Sequence, residues 1–238
     1  MAMTHRTFAK FEVTPELQNA KTLQNKLNRY FVTRQEDGQQ LKTLIRLDDF
    51  QGSLGPNSKV LFGTVFDEYI KSSSRIVNKG NENDVPNYVI ESDPYVDIRA
   101  GLFWISTDGM VVFGRKNGRT FGSNVISKAL GVDITPIRIK IEKVAEDYTD
   151  NWIGGIVDRD GNWQKGTLHG DNLRADDCIG AEFASCTKNQ LGGYTGHFGG
   201  STKFKVTREG VVTIYTDLNE DIGTFLRFVK NEINDYFE

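Results

Sequence analysis

Cysteine and histidine are scarce in this chain. It holds two cysteines, Cys178 and Cys186, and three histidines, His5, His169 and His197. Two thiols cannot build a disulfide framework, and together with so few imidazoles they fall short of a structural zinc site of the usual kind. A reduced, cytoplasmic protein is the expected setting. No run reaches the roughly 18 apolar residues of a membrane span, so no membrane partner is expected. The opening stretch MAMTHRTFAKFEV has no basic segment followed by an apolar one and so reads as carrying no secretory signal. The GxSxG elbow and the HExxH pair are missing. The glycine-dense run GGYTGHFGGSTK (192–203) ends in STK before a strand-like segment, where a phosphate-cradling loop would read GK[ST] and open a helix. No catalytic residue and no cofactor is assigned.

The 238 residues are 38% hydrophobic and 26% charged, enough apolar content for a packed core and too much for global disorder. That length suits one large domain or two small ones; the reading is an N-terminal α+β half (1–135) and a C-terminal α+β half (136–238) packed together. Net charge is −3, yet residues 99–143 carry eight bases against three acids, which permits a local basic surface on an acidic protein.

Alternation and turn signals dominate the pattern. FAKFEV (8–13), LKTLIRL (41–47) and KVLFGTVFDEYI (59–70) read as strands. Residues 14–31 read as a helix capped by Thr14, and 119–131 as a helix ended by Gly131. NKGNENDVPN (78–87) reads as a mobile loop, as do the five glycines of 189–200. ITPIRIKIEKV alternates, with Ile137, Ile139 and Ile141 on one side and Arg138, Lys140 and Glu142 on the other, the pattern of a half-buried strand. The segment WIGGIVDRDGNWQKGTLHG reads as strand–turn–strand around Asp160-Gly161. The C-terminal DLNEDIGTFLRFVKNEINDYFE reads as one amphipathic helix, with Asp217 and Glu220 as a capping box.

FWISTDGMVVF (103–113) has a near-copy in FKVTREGVVTI (204–214), 101 residues on and without a gap. Each is a hairpin about an acidic-glycine turn followed by a helix. FGTVFD (62–67) and IGGIVD (153–158) offer a second, collinear match. The expected fold is therefore α+β: a mainly antiparallel sheet with helices on one face and an internal duplication of a strand–turn–strand–helix unit.

A sheet covered on one face leaves the other free. Trp104 has the parity opposite Phe103 and Ile105, and the equivalent face of the second hairpin shows Lys203, Lys205 and Tyr215. Arg115, Lys116 and Arg119 follow the first hairpin; Arg138 and Lys140 line the next segment. Rings that stack on bases beside cations that neutralise phosphates are what single-stranded nucleic acid needs. The first expectation is a non-catalytic nucleic-acid-binding protein using these nine residues. The second is an interaction or assembly subunit whose partner is another protein or a second copy. The third is a metal-dependent hydrolase built on Asp158, Asp160, His169 and Asp171, with Asp176 and Asp177 nearby. The competing reading of that cluster is a hairpin turn whose aspartates stabilise the bend.

Overall fold

The computed structural model describes residues 3–55, 58–82, 85–114, 116–160, 162–218 and 221–238. Among these residues twelve strands form one open sheet. Its centre is β1 (Thr4–Phe11). On one side follow β6 (Met110–Phe113), β5 (Val85–Ser106), β4 (Ser58–Glu82), β3 (Gln39–Gly55) and, at the edge, β2 (Phe31–Glu36). On the other side follow β12 (Val211–Ile214), β11 (Thr202–Thr207), β10 (Lys188–Thr195), β8 (Ile153–Ile156) and the edge strand β9 (Gly166–His169). The short β7 (Ile134–Pro136) pairs with the end of β1.

Both hairpins flank β1, three residues apart along it: Val111 pairs with Ala9, and its counterpart Val212 with Arg6. β6 and β12 each run antiparallel to β1, so they run parallel to each other. The operation relating the hairpins is therefore a half-turn about an axis along β1, and such a turn exchanges the faces of the sheet. Burial follows. Phe103, Ile105, Val111 and Phe113 belong to one hydrophobic cluster with Ala9 and Phe11. Their counterparts 101 residues on, Phe204, Val206, Val212 and Ile214, belong to the other, with Phe8.

The helices divide accordingly, where the sequence places them on one face. α1 (Ala20–Asn28) and α2 (Lys116–Leu130) supply Leu23, Leu27, Val125, Ile126 and Leu130 to the first cluster. α3 (Ile141–Asp147), α4 (Gly180–Ser185) and α5 (Ile222–Phe228) supply Ile141, Val144, Phe183, Phe225 and Leu226 to the second. The second anchor of the repeat also fails in space. β4 is the direct neighbour of β5, whereas β8 lies one strand beyond β10, the neighbour of β11.

Other local readings change for identifiable reasons. Helix α1 starts later than the sequence suggests because Asn19, not Thr14, caps it, accepting from the Lys21 and Thr22 amides at 3.0 and 3.2 Å. The glycines of 188–195 lie in strand β10: a Cβ on Gly192 would fall 2.4 Å from Ile153 Cγ2, so close packing rather than loop formation selects glycine there. Ile137, Ile139 and Ile141 are buried as their alternation implies. Yet only β7 is strand, and the extended chain beyond it is held by scattered bonds such as Ile139 N to Arg208 O at 3.1 Å. The C-terminal stripe Ile222, Phe225, Leu226, Val229 and Ile233 is buried as read. Its helix starts at Asp221, which accepts from Thr224 N at 3.0 Å, and passes into a π turn at Val229–Ile233. Glu220 of the expected capping box lies outside the described residues.

Candidate functional site

The most distinctive feature is the β4–β5 ribbon. Its register runs without interruption from Val60↔Ser106 to Asn78↔Tyr88 and closes at Glu82↔Val85. The neighbouring strand β3 leaves β4 after the Thr43↔Asp67 pair. Beyond Asp67 the ribbon is therefore two strands alone, an arm about 50 Å long at 3.3 Å per residue. Residues 78–82 and 85–87, read from sequence as loop, are paired strand at its far end, residues 83 and 84 lying outside the described set.

The arm has two unlike faces. One bears cross-strand ion pairs: Lys71–Asp97 at 3.2 Å, Arg75–Glu91 at 3.2 Å, Arg75–Asp93 at 3.7 Å, and Lys79 on Glu91. The opposite face is uncharged from the Ile70↔Val96 pair outward, through Ser72↔Pro94, Ser74↔Ser92 and Ile76↔Ile90 to Asn78↔Tyr88. It is also bare: Ile76 is 73%, Ile90 74% and Tyr88 64% exposed, with Ile98 and Val96 exposed behind them. Two exposed apolar clusters, Val96/Ile98 and Ile76/Ile90/Tyr88, thus flank the small Ser72/Pro94 and Ser74/Ser92 pairs on a two-stranded ribbon that lacks a third layer to stabilise it.

The root of the arm is fixed by one carboxylate. Asp67 accepts from Thr43 Oγ1 at 2.5 Å and pairs with Arg34 at 2.8 Å and Arg99 at 2.7 Å. Arg34 also donates to Glu68 O, and the Arg99 guanidinium lies 4.9 Å over the Phe121 ring of α2. Burial raises the Asp67 pKa, but the hydrogen bonds from Thr43, Arg99 and Arg34 and the charge of Arg34 outweigh it and hold it below the usual carboxylate value. The arm thus leaves the body at a defined point, tied to β2, β3 and α2.

Of the nine residues expected to bind nucleic acid, those that are described do not converge. Trp104 does point to the face opposite Phe103. That face is covered too, so Trp104 is 5% exposed, stacked on Phe62 at 5.0 Å and lying beneath the Arg6 guanidinium at 4.9 Å. It is a core residue and unavailable for base stacking. Arg119 is turned to the second hairpin, donating to Glu209 O at 2.8 Å. Arg138 and Lys140 lie on the irregular segment before α3, off any strand. Arg115 and the Lys116 side chain lie outside the described residues. Lys203, Lys205 and Tyr215 do share one face, with parity opposite the buried Phe204 and Val206. No helix among the described residues packs on that side of the C-terminal strands. Lys203 Nζ there sits 5.0 Å over Trp152 and 5.6 Å over Tyr194.

Catalytic arrangements are weaker. Among the described residues no three His, Cys, Asp or Glu side chains are placed to hold a metal ion, so Asp158, Asp160, His169 and Asp171 do not form a cluster. Gly161 of the expected turn lies outside the described set. Glu232 on the π turn accepts from Tyr148 at 3.0 Å and Thr195 at 2.8 Å and pairs with His197 at 3.2 Å. These bonds tie the C-terminal segment to β10 and commit the Thr195 hydroxyl to Glu232 as donor and to His197 N as acceptor. A cavity of about 250 Å³ is lined by Asn151, Arg174, Cys186 and Lys188. Burial lowers the Lys188 pKa, but its amine donates to Cys186 O at 2.9 Å, which commits it to holding the chain.

The arm was absent from the sequence expectations although its signal is present. Charge falls on one parity only, at Lys71, Arg75, Lys79, Glu91, Asp93 and Asp97. The other parity, Ile70 to Asn78 and Tyr88 to Ile98, has none. No protein-family model matches the chain, and no curated protein matches it significantly.

Proposed function

We propose that this chain is a non-catalytic interaction or assembly subunit that engages a protein partner through its arm. The observation that carries the reading is the uncharged, exposed strip from Ile70 to Tyr88 on a ribbon whose other face carries the cross-strand ion pairs, with Val77, Val89 and Tyr95 among them. A solvated ribbon has no use for such asymmetry, whereas a docked one does: charge stays in water and the apolar strip is covered. The body supplies a rigid platform. The two matched hairpins are read as copies of one duplicated unit, and the halves 1–135 and 136–238 as the two parts joined through β1.

The test is an arm-shortened variant in which residues 70–97 are replaced by an Asn-Gly turn. It is expected to keep its melting transition, its circular dichroism reduced only by the strand removed, while losing all complexes that the full chain forms in extracts of its source. Complexes that survive the deletion would reject the arm as the docking element.

A second reading is nucleic-acid binding on the helix-free face of the C-terminal strands, favoured by Lys203 and Lys205 beside Trp152, Tyr194 and Tyr215. It predicts salt-dependent anisotropy changes with labelled single-stranded DNA or RNA. In Lys203→Ala/Lys205→Ala the slope of log affinity against log salt should fall by about 2. An unchanged slope would remove this face from consideration.

A further inference from the structure

We infer that the occupant of the arm's uncharged face is the same face of a second copy, the two ribbons packing antiparallel about a dyad at the Ser74↔Ser92 pair. This rests on the interaction reading above and names its partner. Three observations carry it.

The first is charge. An isologous interface sets each residue against a symmetry mate, so any charge near the dyad meets its own sign. From Ile70 to Asn78 and from Tyr88 to Val96 this face has no charge at all. The opposite face, with Lys71, Arg75 and Asp97, would have its ion pairs desolvated if covered.

The second is shape. Bulk varies along the face: Ile70/Val96 large, Ser72/Pro94 and Ser74/Ser92 small, Ile76/Ile90 and Asn78/Tyr88 large. With the dyad on Ser74/Ser92, the Ile76/Ile90 pair of one arm falls on the Ser72/Pro94 pair of the other, twice. There large meets small, the arrangement that lets facing layers interdigitate, and farther out Asn78/Tyr88 falls on Ile70/Val96, large on large. The serine pair itself is already satisfied within the ribbon, its hydroxyls 3.4 Å apart.

The third is area. Ile76, Ile90, Tyr88 and Val96, the exposed apolar residues of that stretch, leave roughly 500 Å² of surface on each arm, so two arms face to face remove about 1,000 Å², the area a specific interface has to clear. The far end of the arm, NKGNENDVPN, is polar, which suits lateral packing between proteins and not entry into lipid.

The experiment uses the full chain with Cys178 and Cys186 replaced by serine, since both are free thiols. Facing sheets lie about 10 Å apart, too far for a direct disulfide, so Ser74→Cys is treated with a short bis-maleimide. The expected result is a covalent dimer from Ser74→Cys and none from Ser73→Cys, which is on the ion-paired face. Sedimentation velocity should show a dimer for wild type and a monomer for Ile76→Lys, with melting unchanged; Ile90→Lys is the second variant, equally exposed. A dimer insensitive to both lysines, or equal cross-linking at 73 and 74, overturns the inference. So does a wild-type monomer. If that monomer still forms an Ile76-dependent complex with another protein, the second-copy occupant fails and the interaction reading stands. If it forms none, both fail.

Discussion

Gly210→Ala is expected to destabilise the fold by about 3–5 kcal/mol, lowering the melting temperature by roughly 10 °C in a protein of this size. Gly210 has φ +72°, and a Cβ there would lie 2.1 Å from Ile137 O. The left-handed conformation alone costs an alanine about 1–2 kcal/mol. The contact is with backbone, so relief requires moving the chain. Two bonds at the centre of the sheet would be strained with it: Phe8 N to Gly210 O at 2.9 Å and Ile137 N to Phe8 O at 3.2 Å. Gly38→Ala is the control. It shares a positive φ of +77° but has nothing within 4 Å, so only the conformational cost of about 1 kcal/mol should appear. Equal losses at the two sites, measured by urea denaturation, would show that the Ile137 contact is not what constrains Gly210. The matching turn glycine Gly109 receives the Phe11 amide at 2.9 Å, so both hairpins are joined to β1 by the same device.

Asp67→Ala is expected to cost about 2–4 kcal/mol and to release the arm from the body. The carboxylate is 7% exposed and bridges Arg34 and Arg99; removing it takes from Arg99 the carboxylate it pairs with and leaves Arg34 only Glu36, 3.4 Å away. Loss of a buried partner costs about 3–5 kcal/mol, and the partial exposure of the arginines, 35% and 49%, lowers that figure. The pH dependence has a defined sign. The folded-state pKa lies below the unfolded value, so the stabilisation is complete above the unfolded value of about 3.9 and is lost as pH falls through the depressed folded-state pKa. Wild type should therefore lose stability in acid more steeply than Asp67→Ala below pH about 4. Parallel acid profiles for the two proteins would show that Asp67 is not ionised in the fold, and with that the anchor would fail.

Much of the body was legible in sequence because its signals are local. The turn glycines, the parity of Phe103, Ile105, Val111 and Phe113, and the end of α2 at Gly131 depend only on neighbouring residues. The face that a strand side covers depends on topology, and that is where the reading of Trp104 fails. Its parity is correct, but pairing of both hairpins with a common central strand turns the second hairpin over and sends the helix after it to the other face. The arm fails for a different reason. Turn-forming residues in NKGNENDVPN suggest a loop, whereas the long register of β4 on β5 carries pairing to Glu82. Charge restricted to one parity was the signal that distinguishes a paired ribbon from a loop.

The most direct measurement is amide hydrogen exchange along residues 68–98 in wild type and in Ile76→Lys. A ribbon of two strands exposed on both sides opens readily and exchanges fast, whereas one covered by a partner does not. The account predicts strong protection of the arm in wild type, its loss in Ile76→Lys, and no change in β1, β6 or β12. Equal exchange of the arm in the two proteins, whether fast or slow, would contradict the claim that the uncharged face is an occupied interface.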